Sequence, residues 1–366
     1  MPESSPGGEA GPAGGTKADA RPRSPRWRLA ARLALGALLV VIVVVYHRYL
    51  AQSFRALGGL DWTWFALAVV AETVSILAFA FSRRRLLLAS GRQPRRRAMI
   101  AITYASNAMS LSLPFAGTGL ATVYSYRQFR RRGIDAATTG WALAVSGIFS
   151  TTSLALLLVA GAIAGGQPFA VLAGLSGAAV YLVPGTAVLL AVRYDRARKL
   201  FGRMLIGAVH AARRLPMRRA AGGADGATWL ADFPARLEGF LDRIASISLP
   251  RRGYAGVFGL ATANWLADCA ALGLAVLATG QPVPWHGLLL AYCAGAAVGG
   301  TGLTPGGFGL VELALAAALT AGGLATSGAL AAVIAYRLVS FWLVILAGWL
   351  LVPLLGDRPG TQASAP

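Results

Sequence analysis

Long apolar segments alternate with short polar, arginine-rich stretches along the 366-residue chain. An apolar run of about 18 or more residues is long enough to cross a membrane as a helix. The pattern therefore predicts an all-α, polytopic integral membrane protein, and two of its segments are interrupted in the middle by proline and glycine. The predicted segments are residues 29–46, 61–81, 98–126, 136–164, 168–192, 253–279, 286–321 and 326–353.

The two interruptions lie in the third and seventh segments, at Ser110–Gly119 (SLSLPFAGTG) and Thr301–Gly309 (TGLTPGGFG). Proline removes a backbone donor and glycine loosens the backbone, so each stretch should end a helix. Inside a bilayer such irregular backbone is tolerated only where protein or a water-filled cavity surrounds it. One interruption in each half of a membrane chain is the pattern of a transport site near the bilayer midplane.

The net charge of +20 comes from basic residues that lie between the apolar segments. This distribution follows the positive-inside rule, so we expect anionic lipid headgroups, and not nucleic acid, as the counter-charge. It predicts a plasma (inner) membrane protein with both termini in the cytoplasm. If the interrupted segments enter the membrane and return on the same side, the arginines that follow residue 126 stay inside. If both segments cross fully, that cluster lies outside, which is the less favoured alternative.

The favoured topology has about six full transmembrane helices and two re-entrant hairpins, arranged as an inverted repeat. A shift of 190 residues aligns the two halves and places Gly133 on Gly323. The predicted organisation is a disordered tail (1–25), a first membrane half (26–192), basic amphipathic helices on the cytoplasmic face (193–252), a second membrane half (253–355) and a second disordered tail (356–366).

Charged residues inside predicted spans mark candidate binding groups, because a charge in the bilayer is costly. Glu312 follows the second interruption and Arg337 lies in the last span, so the two are expected to pair. The pair either simply neutralises itself or binds substrate. In the second case Arg337 would bind a lipid phosphate, and Glu312 would bind a cationic headgroup or a coupling proton.

Other polar residues complete the predicted substrate-binding set. Glu72 and Asp268 are either pathway residues or hydrogen-bonding contacts between helices. Asn107 is expected to cap or pack near the first interruption, while Tyr126 and Arg127 lie where phosphate headgroups would be. The set also contains Pro114, Gly117, Gly119, Pro305, Gly306, Gly307 and Gly309.

Signals of catalysis are weak in this sequence. It has three histidines and two cysteines without metal-ligand spacing, no glycine-rich phosphate loop with lysine, and no nucleophile elbow. We therefore expect no enzymatic activity, no metal and no cofactor. Without an ATP-binding motif, any transport would be downhill or ion-coupled.

Two short motifs resemble a known family. Thr304–Glu312 (TPGGFGLVE) and Ala335–Leu338 (AYRL) resemble the signature of the bacterial lysylphosphatidylglycerol synthase transmembrane (flippase-like) family. The resemblance extends over about residues 35–353, and Leu113–Gln128 is similar to the first-half motif of actinobacterial members. Glu312 and Arg337 match the signature, but Leu120 stands where many relatives have glutamate.

The resemblance implies a domain that moves aminoacylated phosphatidylglycerol to the outer leaflet, while a separate soluble domain makes that lipid. We expect no such domain in this chain, so the resemblance does not imply lysyl transfer. We expect a flippase or transporter for a lipid or lipid-linked molecule, with an anionic phospholipid or aminoacyl lipid as its partner. The alternative is a non-transporting membrane scaffold for an envelope lipid or glycan enzyme, which would dock on residues 193–252.

Overall fold

The computed structural model describes residues 59–88, 93–166 and 249–355, together with residues 91, 194, 196, 203 and 247. These residues form helices and turns, without strands. The predicted segments 29–46 and 168–192, both predicted tails and nearly all of the region 193–252 lie outside the described residues.

The helices of the described ranges follow the predicted segments closely. Four stretches are long and apolar enough to cross a membrane: α1, α4, α5 and the stretch from Thr326 to Leu355 that contains α8 and α9. This confirms an all-α polytopic membrane protein. The helices are α1 (Trp62–Leu87), α2 (Arg96–Ser112), α3 (Gly117–Arg131), α4 (Ala136–Ala164), α5 (Arg251–Ala278), α6 (Trp285–Gly300), α7 (Leu310–Ala321), α8 (Thr326–Arg337) and α9 (Val344–Leu351), with short 3₁₀ turns at Pro305–Gly307 and Pro353–Leu355.

Helices α1 and α5 pack against each other in antiparallel orientation. At one end the Asp61 amide donates to the Ala278 carbonyl, and at the other the Ser82 hydroxyl lies 3.5 Å from the carbonyl of Val257. Residues later in α1 therefore contact residues earlier in α5. Helices α2, α4 and α8 each pack directly against at least one member of this pair.

Each interrupted segment folds back on itself as a helical hairpin. A Cβ atom built on Gly287, near the start of α6, would lie 3.7 Å from Cα of Gly322, just after α7. In the other hairpin the hydroxyls of Ser110 and Thr118 are 3.3 Å apart across the turn, and Phe129 of α3 belongs to the same apolar cluster as residues near the start of α2. A segment that crossed a membrane once would hold its two ends far apart.

The two halves repeat each other at the predicted shift of 190 residues. Gly133 and Gly323 both have positive φ, at 78° and 103°, and the amides of Ile134 and Leu324 each donate to the carbonyl five residues earlier. The same shift superposes the bounds of α1 on those of α5 to within a residue. Because α1 and α5 are antiparallel, the described ranges 59–88 with 93–166, and 249–355, are related to each other as an inverted repeat.

The two hairpins approach each other from opposite ends of the α1–α5 pair. Hairpin α2–α3 follows the C-terminal end of α1, while hairpin α6–α7 follows the C-terminal end of α5, which lies beside the start of α1. The two turns contact each other, because the amide of Phe115 donates to the carbonyl of Gly302 at 2.8 Å. We call these turns, residues 113–116 and 301–309, the two tips.

Asp135 determines where α4 begins. Its carboxylate accepts a hydrogen bond from the Thr138 amide at 2.9 Å, as an N-cap residue does. Burial alone would raise the pKa of Asp135, but hydrogen bonds from Thr138 and from the backbone outweigh burial and lower the pKa. The ionised carboxylate therefore stabilises the start of this helix.

Candidate functional site

A cavity of about 260 Å³ lies where the two tips meet. It is bounded by the first hairpin on one side, by the second on the other, and by α5 and α8. This volume suits a headgroup better than a whole lipid. Its side chains include Ser110, Phe115, Thr118, Trp265, Asp268, Tyr292, Tyr336, Arg337 and Ser340, with several glycines between them.

Arg337 is the cation of this cavity among the described residues that line it. Its Nε donates to Glu312 Oε1 at 2.6 Å and its Nη2 donates to the Gly306 carbonyl at 2.8 Å. The guanidinium also lies over the ring of Phe341, 4.4 Å from the centroid, where the ring quadrupole attracts it. These contacts use Nε and Nη2, so no hydrogen bond to another described residue occupies Nη1.

Glu312 holds Arg337 in place and does not itself line the cavity. While Oε1 accepts from Arg337, Oε2 accepts from the amide of Gly309 at 2.6 Å. Glu312 is the third residue of α7, and a glutamate there can cap the free backbone N–H groups of a helix start. Both oxygens are therefore committed to the turn and to the guanidinium.

Gly306 is required by its backbone conformation and by the space around it. Its φ of 53° lies in the left-handed region, and an added Cβ would overlap the ring of Phe341. This conformation points the Gly306 carbonyl at Arg337. The Pro-Gly-Gly turn therefore positions the cation that the cavity presents.

The last span departs from α-helical geometry beside the cavity. After Arg337 the chain forms a π-helical turn, Leu338–Leu343, before α9 begins. Such turns insert a residue and often accompany functional sites. Here the turn places Ser340 on the cavity and Phe341 against Arg337.

Asp268 is the acidic group that lines the cavity among the described residues. Its two oxygens accept hydrogen bonds from the hydroxyls of Tyr292 and Tyr336, at 2.8 Å and 2.7 Å. Glu72 lies behind it on α1, buried and close enough for the two carboxyl groups to interact directly.

The start of α3 offers a second set of donors to the cavity. Helix α3 begins at Gly117 without a side-chain cap, and Ser110, Gly117 and Thr118 line the cavity. An uncapped helix start presents free N–H groups and a positive dipole end to an anion. With Arg337 opposite, the arrangement favours a phosphate or carboxylate. The described residues contain no cluster of three or more histidines, cysteines or acids that could hold a metal ion.

The structure brings together only part of the predicted substrate-binding set. Four members line the cavity: Gly117, Gly306, Asp268 and Arg337. Glu312 does not line it but forms an ion pair with Arg337. The other members lie elsewhere among the described residues: Pro114, Gly119, Pro305, Gly307 and Gly309 in or beside the tips, Glu72 behind Asp268, Asn107 half-buried on α2, and Tyr126 half-buried and Arg127 exposed on α3.

Tyr292, Trp265 and Phe341 also belong to the site, although the sequence analysis did not select them. A tyrosine in the middle of an apolar helix was the available signal, since a buried hydroxyl needs a hydrogen-bond partner. That signal identifies Tyr292 as a polar position but does not name Asp268 as its partner.

Comparison with known proteins identifies the family of this chain. The family model described as lysylphosphatidylglycerol synthase TM region matches residues 29–348. The chain therefore belongs to this family, and it is a multi-pass membrane protein of the flippase-like kind. No curated protein matches it.

Proposed function

We propose that this member of the lysylphosphatidylglycerol synthase TM region family moves a membrane lipid or lipid-linked molecule between leaflets. The headgroup would bind at the cavity between the two tips, and an anionic phospholipid or an aminoacyl lipid is the substrate that this chemistry favours. The protein would move this lipid without changing it chemically.

The observation that carries the proposal is the buried, ligand-facing guanidinium of Arg337. Its side chain is only 6% exposed, and its partner Glu312 is 12% exposed. A surface ion pair would need no such enclosure, and a purely structural pair would not need to line a cavity. A cation that is held by fixed contacts, and whose Nη1 makes no hydrogen bond to another described residue, is suited to bind a phosphate.

The hairpin geometry supplies a route for the headgroup. We propose that the hairpins are re-entrant and enter the membrane from opposite faces, so that their tips meet near its middle. Each tip would then separate the cavity from one side. Because the two halves form an inverted repeat, they can exchange inward-open and outward-open shapes around the fixed site.

Transport by the purified chain in liposomes tests this proposal. The vesicles would contain fluorescent phosphatidylglycerol or fluorescent lysyl-phosphatidylglycerol, and a membrane-impermeant reagent would quench the outer leaflet. We expect quenching to exceed the outer-leaflet fraction only in vesicles that contain the protein. Arg337→Ala should abolish this excess, and Arg127→Ala is the matched control because Arg127 is exposed and lies outside the cavity.

Failure of both lipids to move above the level of empty vesicles would refute the proposal. That outcome would favour the alternative of a non-transporting scaffold. The surface on which that alternative depends, residues 193–252, lies almost entirely outside the described residues, so no contact in the structure supports it.

A further inference from the structure

Two carboxyl groups meet midway along the central pair of helices. Asn264 of α5 donates to the hydroxyl of Ser75 on α1 at 2.6 Å, which fixes the register of the two helices. Glu72 lies three residues before Ser75 and Asp268 lies four residues after Asn264, so each is one turn further along the same contact face. In this antiparallel pair, the two carboxyl groups therefore come together.

Asp268 and Glu72 have different hydrogen-bonding surroundings. Both oxygens of Asp268 accept hydrogen bonds from tyrosine hydroxyls, an arrangement that stabilises an ionised carboxylate. Glu72 is 8% exposed, and its Oε2 has no hydrogen-bond partner within the described part of the chain. Among the described residues, the other titratable or charged groups that face the pair are Tyr104 from α2, Cys269 from α5, Tyr292 from α6, and Tyr336 and Arg337 from α8.

None of these neighbours can neutralise two negative charges. Arg337 is the permanent cation among them, and Glu312 already binds it. Two adjacent carboxylates buried in a medium of low dielectric cannot both remain ionised, so one proton is retained between them. Because tyrosine hydroxyls occupy the oxygens of Asp268, the proton belongs on Glu72.

The carboxyl pair is also close enough to the cavity for its charge to affect a bound headgroup. Asp268 lines it directly, and Tyr336 hydrogen-bonds to Asp268 while preceding Arg337 in the chain. An anionic headgroup bound beside Arg337 would be repelled by negative charge on the pair. Retention of the proton lowers that charge, so proton and headgroup should each favour the binding of the other.

We propose that Glu72 and Asp268 form a proton-binding site, and that release and uptake of its proton drive movement of the headgroup. This inference rests on the proposed function for the driven step, but the proton site itself does not. The ligand is a proton and not a sodium ion, because the pair offers two carboxyl groups of which one is saturated by hydroxyl donors.

Infrared spectroscopy of the reconstituted full-length protein tests the proton site without reference to transport. We expect the carbonyl band of a protonated carboxyl group at neutral pH, and its loss in Glu72→Gln. Asp61→Asn is the control, because Asp61 is an exposed cap on the same helix. Absence of the band from the wild-type protein would overturn the inference, and so would its persistence in Glu72→Gln. The presence or absence of the band in the wild-type protein tests the inference even if Glu72→Gln fails to fold.

A transport measurement tests the coupling. Proteoliposomes with fluorescent phosphatidylglycerol, clamped at zero membrane potential, would be given a gradient of one pH unit in either direction. For one proton per lipid, the steady-state leaflet ratio should shift by about tenfold per pH unit. Asp61→Asn should show the same shift, and Glu72→Gln should show none.

A leaflet ratio that ignores the pH gradient, or that follows a sodium gradient instead, would overturn the coupling. If the wild-type protein moves no lipid under any gradient, both the coupling and the proposed function fail. The infrared band then still decides whether the pair holds a proton, so the two failures can be told apart.

Discussion

Removal of one partner of the Glu312–Arg337 pair should destabilise the protein far more than removal of both. Arg337→Met deletes the guanidinium, and among the described residues it leaves Glu312 only the hydrogen bond from the Gly309 amide. A buried carboxylate that loses its cation costs about 3–5 kcal/mol. We therefore expect a loss of that size in the free energy of unfolding.

The double variant Glu312→Gln/Arg337→Met should recover most of that stability. Glutamine keeps an oxygen that can accept from the Gly309 amide, as in a capping box, and no uncompensated charge remains. Replacing a buried ion pair with neutral groups of similar volume is commonly neutral or even stabilising, by about 1–4 kcal/mol. Lipid movement should nevertheless remain absent, because the cation that binds the headgroup is gone.

Unfolding in detergent micelles, titrated with sodium dodecyl sulfate, measures the stabilities, and the liposome assay measures transport. Arg127→Met is the control, and an exposed substitution of this kind should change the stability by no more than about 0.5 kcal/mol. A loss of less than about 1 kcal/mol for Arg337→Met would refute the buried-pair reasoning. Transport at the wild-type rate by the stable double variant would refute the binding role of Arg337.

Three further predictions test the fold and the site. Gly306→Ala should destabilise by more than about 1–2 kcal/mol, because alanine is strained at positive φ and its Cβ overlaps Phe341; an unchanged unfolding titration would contradict this. Asp135→Ala should lose about 1 kcal/mol at neutral pH. The difference from wild type should begin to shrink as the pH falls below the ordinary aspartate pKa of 3.8 and should vanish once the pH is below the lowered pKa of Asp135 in the folded protein. The sign follows from the lowered pKa of Asp135, since the carboxylate stabilises only while it is ionised; a difference that persists in acid would contradict it. Cysteines at Gly287 and Gly322, in a background without the native cysteines, should form a disulfide on mild oxidation, which a single membrane crossing would prevent.

The sequence predicted the long elements well because their signals are local. Helix α4 has the predicted bounds, since Asp135 caps its start and a long apolar run follows. The two interruptions could be predicted for the same reason, because proline and glycine disrupt a helix at the position that they occupy. The pairing of Glu312 with Arg337 could be predicted from the sequence, because unpaired charges are costly in a membrane.

The contents of the cavity could not be predicted in the same way. Tyr292 and Tyr336 meet at Asp268 only after three helices have packed, and no short-range pattern encodes that convergence. The helices are also apolar on most of their surface, so periodicity does not indicate which face turns inward. For this reason Tyr126 and Arg127 were expected near the substrate but lie away from the cavity.

The contact between Phe115 and Gly302 also determines where a membrane voltage would drop. If the hairpins are re-entrant and meet at their tips, only a few residues separate the two aqueous sides. Most of the membrane voltage would then fall across those residues. One elementary charge that passes the full voltage gains about 2.3 kcal/mol per 100 mV. In a cell that is negative inside, an anionic headgroup that moves together with one proton carries no net charge past this barrier, so the resting potential would neither drive nor oppose its movement.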